Sequence, residues 1–161
     1  MIAVVQRVTQ ASVTVDTEQY EASIGPGLCV LLCAENGDGE EQSRWIAGKL
    51  ANLRIFRDDQ DKMNRSVLDI GGEILAVSQF TLAGDASKGH RPSFVGAAPP
   101  EEGRRWFDLV CELLRTNHGL RVQTGIFGAM MKVSLVNDGP VTIIVRKPPH
   151  PPLAASQDKS E

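Results

Sequence analysis

The longest uninterrupted apolar run in the chain, Leu28 to Ala34 (LCVLLCA), is seven residues. That is far below the roughly 20 residues a membrane-spanning helix needs, and it suits a strand covered on both faces. Such a strand must lie inside a sheet with further elements packed on either side. The residues before it supply sheet. Ile2 to Val8 is rich in β-branched residues, and Ser12 to Asp16 alternates Val13 and Val15 with Thr14 and Asp16, the period of half-buried strands. A short strand around Tyr20 to Ile24 ends at the turn signal Gly25-Pro26-Gly27, so four strands are expected before the first helix.

That helix should begin after Asn36-Gly37-Asp38, with Glu40 and Glu41 favoured in its first turn by the helix dipole. It should run to about Leu53, with Trp45, Ile46, Lys49, Leu50 and Leu53 as its inward stripe. Arg54 to Arg57 then reads as strand and the polar stretch DDQDKMNRS as loop. Gly71-Gly72 should turn the chain into a strand from Glu73 to Phe80, and the loop after Leu82 is locally basic, carrying Lys88, His90 and Arg91. Pro99-Pro100-Glu101-Glu102 is a strong helix start, and Gly119 is the stop for a second helix ending near His118. Strands are expected at Leu120 to Thr124, Ala129 to Val136 and Val141 to Arg146. Short links between the early strands predict an α+β fold: a mainly antiparallel, partly barrel-like sheet with two helices packed on it. At 161 residues the chain suits a single domain, here 1–146, followed by a Pro-rich C-terminal extension, 147–161.

A net charge of −3 gives no global positive field, so any nucleic-acid partner must be gripped locally. The start MIAVVQRVTQASV lacks the basic, apolar and small-residue pattern of a secretory signal, which makes a cytoplasmic location the expectation. Cys29, Cys33 and Cys111 cannot all pair within one chain; Cys29 and Cys33, four apart on one strand face, are read as packing residues. His90, His118 and His150 are scattered, and no metal or other cofactor is expected.

Two segments could carry chemistry. In Ser78-Gln79-Phe80-Thr81 a strand with hydroxyl and amide side chains runs into a loop, a geometry that can leave backbone N–H groups free at a pocket. The alternative is the exposed face of an ordinary strand. Asn137-Asp138-Gly139-Pro140 reads at first as a hairpin turn, but Pro140 has no N–H to give to a ladder. Gly139-Pro140 instead offers adjacent carbonyl oxygens, a surface that accepts hydrogen bonds and suits an ammonium group.

Taken together, SQFTL and NDGPVT give a chain that resembles the D-aminoacyl-tRNA deacylases. The resemblance extends over Gln6-Arg7-Val8, Arg54-Ile55-Phe56, Lys62-Met63-Asn64, Arg91-Pro92-Ser93-Phe94, Gln123-Thr124-Gly125 and Val133 to Thr142; the tail after about Arg146 departs from it. It implies hydrolysis of the ester joining a D-amino acid to the terminal adenosine of tRNA, with partial action on glycine. It also implies a homodimer in which a cis Gly139-Pro140 bond enters the partner's pocket and faces the substrate ammonium, reading handedness through backbone. By the same resemblance Arg7 buttresses that corner, and Phe127, with Met130 and Met131, forms the wall for the terminal adenine. Backbone N–H groups around Phe80 and Thr81 become the oxyanion donors, while Ser78, Gln79 and Thr81 shape the pocket. Thr81 is a weak nucleophile without a base, for which the sequence offers only His90, so hydrolysis assisted by the ribose hydroxyl is favoured. Competing readings are a non-catalytic RNA 3′-end binding module, prompted by the G-x-x-G of Gly125-Ile126-Phe127-Gly128, and a small-molecule esterase.

Overall fold

Ile2–Val15 is one fourteen-residue strand, β1, where two were expected, so three strands and not four precede the first helix. The others are β2 (Tyr20–Ile24) and β3 (Gly27–Cys33). The strand stays continuous because both its edges are occupied. The long C-terminal strand, β8 (Lys132–Arg146), follows it along one side, while β3 pairs with its first half and β2 with its second. Irregular register between Gln6, Val8 and Gln10 bends β1 and curls the sheet towards a barrel. The computed structural model describes residues 1–149; His150 and the rest of the Pro-rich extension lie outside the described residues.

The remaining elements are α1 (Glu40–Asn52), β4 (Phe56–Arg57), β5 (Met63–Arg65), β6 (Glu73–Ser78), α2 (Pro100–Thr116) and β7 (Arg121–Thr124). The main sheet runs β2-β1-β3-β6-β7, with β8 on β1. All three pairings of β1 are antiparallel, whereas β3–β6 and β6–β7 are parallel. Parallel neighbours need a crossover, and the two helices lie in those crossovers. The fold is α+β, a mixed, nearly barrel-shaped sheet with two helices in a single domain.

The double burial expected of β3 is observed. Leu28, Val30 and Leu32 join Ala3, Val5, Ile74, Ala76 and the helix residues Ile46, Leu50, Phe107, Val110 and Leu114 in one core. Cys29, on the opposite face, joins Val8, Ala11, Val13, Ile24, Leu75 and Val77 in a second core closed by the curled half of β1 and by β2. All three cysteines are buried and free. Burial pushes Cys29 up to about 11 and Cys111 up to about 12, as for neutral packing thiols.

Several local expectations are corrected. The buried side of α1 is Gln42, Ser43, Ile46, Ala47, Leu50 and Ala51, among which Ser43, Ala47 and Ala51 are small and allow close packing; Trp45 turns outward, with the Lys49 ammonium 5.2 Å from its ring. The polar stretch Asp58 to Ser66 is not all loop, because Met63–Arg65 returns to pair with Phe56–Arg57, with Asp58 accepting from the Gln60 and Lys62 amides across the turn. Glu73 to Phe80 is strand only to Ser78, and Phe80–Ala83 is a 3-10 turn. The two last strands expected are one, β8, in which Asn137-Asp138-Gly139-Pro140 forms a bulge and not a hairpin.

The Met1 ammonium is buried between Glu35 and Asp38, 2.6 Å from the Asp38 carboxylate, and donates to the Lys147 carbonyl at 2.7 Å. Burial raises the Glu35 carboxyl, but hydrogen bonds and charge from Arg146 and that ammonium outweigh it and hold Glu35 below its ordinary value. This network fixes Ala34 to Asn36, and that segment in turn ties down residues 95–98 through Asn36 N–H to the Gly96 carbonyl and Ala98 N–H to the Ala34 carbonyl. No helix among the described residues is long and apolar enough to cross a membrane.

Candidate active site

Parallel strands leave a crevice beyond their carboxyl ends, and ligands bind there in many α/β sheets. Here β3 and β6 end side by side at Cys33 and Ser78, and a cleft of about 840 Å³ opens beyond them. Its walls are Leu32 to Ala34, Val77 to Thr81, Phe94, Ala97 to Pro100, Gly103 and Phe127 to Met131, with Val133. None of these residues carries a charged side chain.

Ser78, Gln79, Phe80 and Thr81, singled out from sequence, all line the cleft. Gln79 N–H completes the sheet by donating to the Leu32 carbonyl at 2.9 Å, and the chain then tightens into the Phe80–Ala83 turn. The first N–H groups of a helical turn have no partner within it. Neither Phe80 N–H nor Thr81 N–H donates to any other described residue. Two adjacent donors without another partner at an apolar pocket wall are the kind of group that stabilises developing negative charge. The Gln79 side-chain amide donates to Thr81 Oγ1, which occupies a lone pair that a nucleophile would use.

Among the described residues that line the cleft, none is a base for Thr81. His90 is exposed on the basic loop and does not line the cleft, so the structure does not bring it to the site. The thiol nearest the chemistry, Cys33, lies 3.6 Å from the Phe80 carbonyl, and burial raises its pKa. Among the described residues no three His, Cys, Asp or Glu side chains cluster as metal ligands.

Phe127, Met130 and Met131 sit on the opposite wall, in the link between β7 and β8. Phe127 is half-buried, packed on Phe107 at 6.1 Å between ring centres, while Met130 is 89% exposed. The Gly125 to Gly128 segment joins two strands, not the two helices that a G-x-x-G nucleic-acid clamp joins. Sequence reasoning missed Phe94, whose ring meets Phe80 edge-on at 5.2 Å, and the stretch Ala97 to Pro100; their apolar character carried no sign of a site.

Gly139, Pro140 and Arg7 lie apart from the cleft of their own chain. The Gly139-Pro140 bond is cis, and both residues are exposed on the bulge of β8. Beneath them Arg7 is 2% exposed. Its Nε donates to the Asp138 carbonyl at 2.9 Å, one Nη donates to the Ile55 carbonyl at 2.5 Å, and the Asp138 carboxylate stands 3.2 Å away. Asn137 closes the other side, its side chain accepting from Val141 N–H at 2.7 Å and donating to the Val141 carbonyl. The corner is therefore held stiffly from below and open above.

A family model described as D-Tyr-tRNA(Tyr) deacylase matches residues 4–146. A D-aminoacyl-tRNA deacylase of Pelobacter propionicus is 56% identical over 147 residues, covering 91% of this chain and 100% of the relative. One of Heliobacterium modesticaldum is 57% identical over 145 residues, covering 90% and 95%. Among solved structures, one titled c-Myc DNA Unwinding Element Binding Protein superposes with a TM-score of 0.84 at 42% identity, covering 92% of this chain and 99% of that one. A probable eukaryotic D-amino acid tRNA deacylase superposes at 0.76 with 20% identity, over 89% and 97%, a likeness of fold.

Proposed function

The chain belongs to the D-Tyr-tRNA(Tyr) deacylase family, and from that membership we propose that it hydrolyses the ester between a D-amino acid and the terminal adenosine of tRNA. It is a carboxylic ester hydrolase. Water adds to the acyl carbon, the carbonyl oxygen takes up negative charge, and the bond to the ribose oxygen breaks as that oxygen leaves with a proton. The observation that carries this reading at the site is the pair of free N–H groups of Phe80 and Thr81 beside an uncharged cleft. They meet the oxyanion, where one such donor is worth about 10²- to 10³-fold in turnover.

With no charged group on the cleft wall, the base is supplied from elsewhere, and the free ribose hydroxyl of the substrate is the group at hand. Thr81 then shapes the pocket and does not attack. Thr81→Ala is expected to lower kcat by less than about tenfold, whereas loss of a true nucleophile costs about 10⁴-fold or more. An acyl group trapped on Thr81 contradicts this.

The active unit is a homodimer. Support comes from β8, which pairs only with β1 and carries exposed Val136 and Ile144, the latter 72% exposed; an unpaired strand edge beside exposed apolar side chains calls for a cover. The Gly139-Pro140 corner, away from its own cleft and open to the outside, enters the partner's cleft, where its carbonyls accept from the substrate ammonium. Rigid main chain excludes the L side chain without contacting any particular D side chain, so breadth and strict handedness coexist. Glycine, lacking a side chain, partly passes this filter. The acceptor end of tRNA lies with its adenine against Phe127, Met130 and Met131, and translation quality control in the cytoplasm is the setting that suits this substrate.

Purified protein with D-, L- and glycyl-tRNA tests the reading. Release of D-amino acid without release of L-amino acid is expected. Binding without turnover would leave an RNA-end module, and equal turnover of free D-amino acid esters would leave a general esterase. Phe80→Pro removes one oxyanion donor at a position where proline suits the first residue of a turn. It should cost about 10²- to 10³-fold in kcat, whereas Phe80→Ala, which keeps the N–H, should cost far less.

A further inference from the structure

Phe127 does not present a bare ring to the cleft. The Arg104 guanidinium, on α2, lies 5.0 Å over that ring and donates to the Phe127 carbonyl at 3.2 Å. Arg104 makes no ion pair among the described residues, although Glu101, Glu102 and Asp108 lie on the same helix. A guanidinium has five N–H donors in a rigid plane, and only one is used here. The result is an exposed arginine at the mouth of the cleft, kept in place by a ring face and a carbonyl, with its charge unneutralised and most of its donors free.

A nucleoside bound against Phe127 would bring its 5′ side to this mouth, because the acyl ester on its ribose must point inward to Phe80 and Thr81. The group next along the strand is the phosphodiester joining the terminal nucleotide to its neighbour. We propose that Arg104 binds that phosphodiester, so that the enzyme distinguishes a polynucleotide end from an aminoacyl nucleoside. The inference rests on the deacylase reading and adds a residue for recognising the RNA strand. It gives an acidic chain one local contact to RNA that needs no general positive field. A planar guanidinium suits phosphate and keeps its stack on Phe127, so the adenine wall and the phosphate contact are set by one side chain.

The test compares kcat/KM for D-aminoacyl-tRNA with that for D-aminoacyl-adenosine, which has the same ester and base but no phosphodiester. In Arg104→Ala the ratio of the two should fall about tenfold, and the slope of log(kcat/KM) against log[salt] for the tRNA should flatten by about 0.7, the value of one single-strand phosphate contact. Arg104→Lys, which keeps a charge but not the plane, should retain most of the salt slope. Equal losses on both substrates would overturn the proposal, since they would mean that Arg104 only supports the Phe127 wall; an unchanged ratio and slope would overturn it as well. Wild-type protein inactive on both substrates would instead remove the deacylase reading, and the inference with it.

Discussion

Gly139→Ala is expected to lower D-aminoacyl-tRNA hydrolysis by at least about 100-fold, the scale on which a displacement of about 1 Å in a positioning group acts. Gly139 has φ +139°, a region L side chains rarely adopt, and an added Cβ would stand 2.7 Å from Val141 Cγ2, 2.9 Å from Val141 N and 3.1 Å from an Arg7 Nη. Two of those neighbours are the scaffold of the corner itself, so relief must come from moving the Gly139 and Pro140 carbonyls. The corner is exposed, and the cost to global stability should stay near 1–3 kcal/mol. Arg7→Lys tests the same element from below. Lysine keeps the charge but cannot bridge the Ile55 and Asp138 carbonyls from one plane, and it should lose activity nearly as far. Circular dichroism and thermal melts would show folded protein in each case, and hydrolysis at the wild-type rate in either would separate the corner from catalysis.

The second large effect concerns the frame that brings Ser78 to Thr81 to the cleft. Gly27 pairs with Glu73 where β3 and β6 begin to run parallel, and a Cβ at Gly27 would lie 1.9 Å from the Glu73 carbonyl oxygen. Backbone there cannot step aside without parting the two central strands. Gly27→Ala should therefore cost about 4 kcal/mol or more, in the range of severe core damage. For a chain of this size that corresponds to a fall in Tm of roughly 10 °C. Gly48→Ala on α1 is the contrasting case: its added methyl meets nothing within 4 Å, and it should stabilise by about 0.5–1 kcal/mol through helix propensity. Differential scanning calorimetry on the two variants distinguishes a steric role for Gly27 from a general sensitivity to alanine.

How much was legible in the sequence depends on whether a signal was local. The double burial of β3 could be read from LCVLLCA, and both helices from their proline, glycine and carboxylate ends, because those cues act within a few residues. The continuity of β1 could not be read across Thr9 and Gln10, since it comes from β8 running along the strand from far down the chain. The same pairing keeps β8 continuous through Asn137-Asp138-Gly139-Pro140, where local turn chemistry argues for a hairpin. Helical period places Trp45 inward, yet the close approach of α1 to its neighbours selects Ser43, Ala47 and Ala51 for the buried side. At the site, Ser78, Gln79 and Thr81 stand out by their polar side chains, and the passage from strand to loop already points to their main-chain N–H groups. Arg104 gave no signal at all: its meaning lies in its contact with Phe127, 23 residues further along.

The most direct measurement of the account pairs two defective chains. Phe80→Pro has a damaged cleft and an intact corner, and Gly139→Ala the reverse. Co-expressed in equal amounts with separable tags, half of the proposed dimers should be mixed, and each mixed dimer should contain one cleft served by one sound corner from its partner. The preparation should therefore regain about a quarter of wild-type activity on D-aminoacyl-tRNA, with none on the L form, although each parent alone is inactive. Activity no higher than that of the two parents would contradict a site built across two subunits.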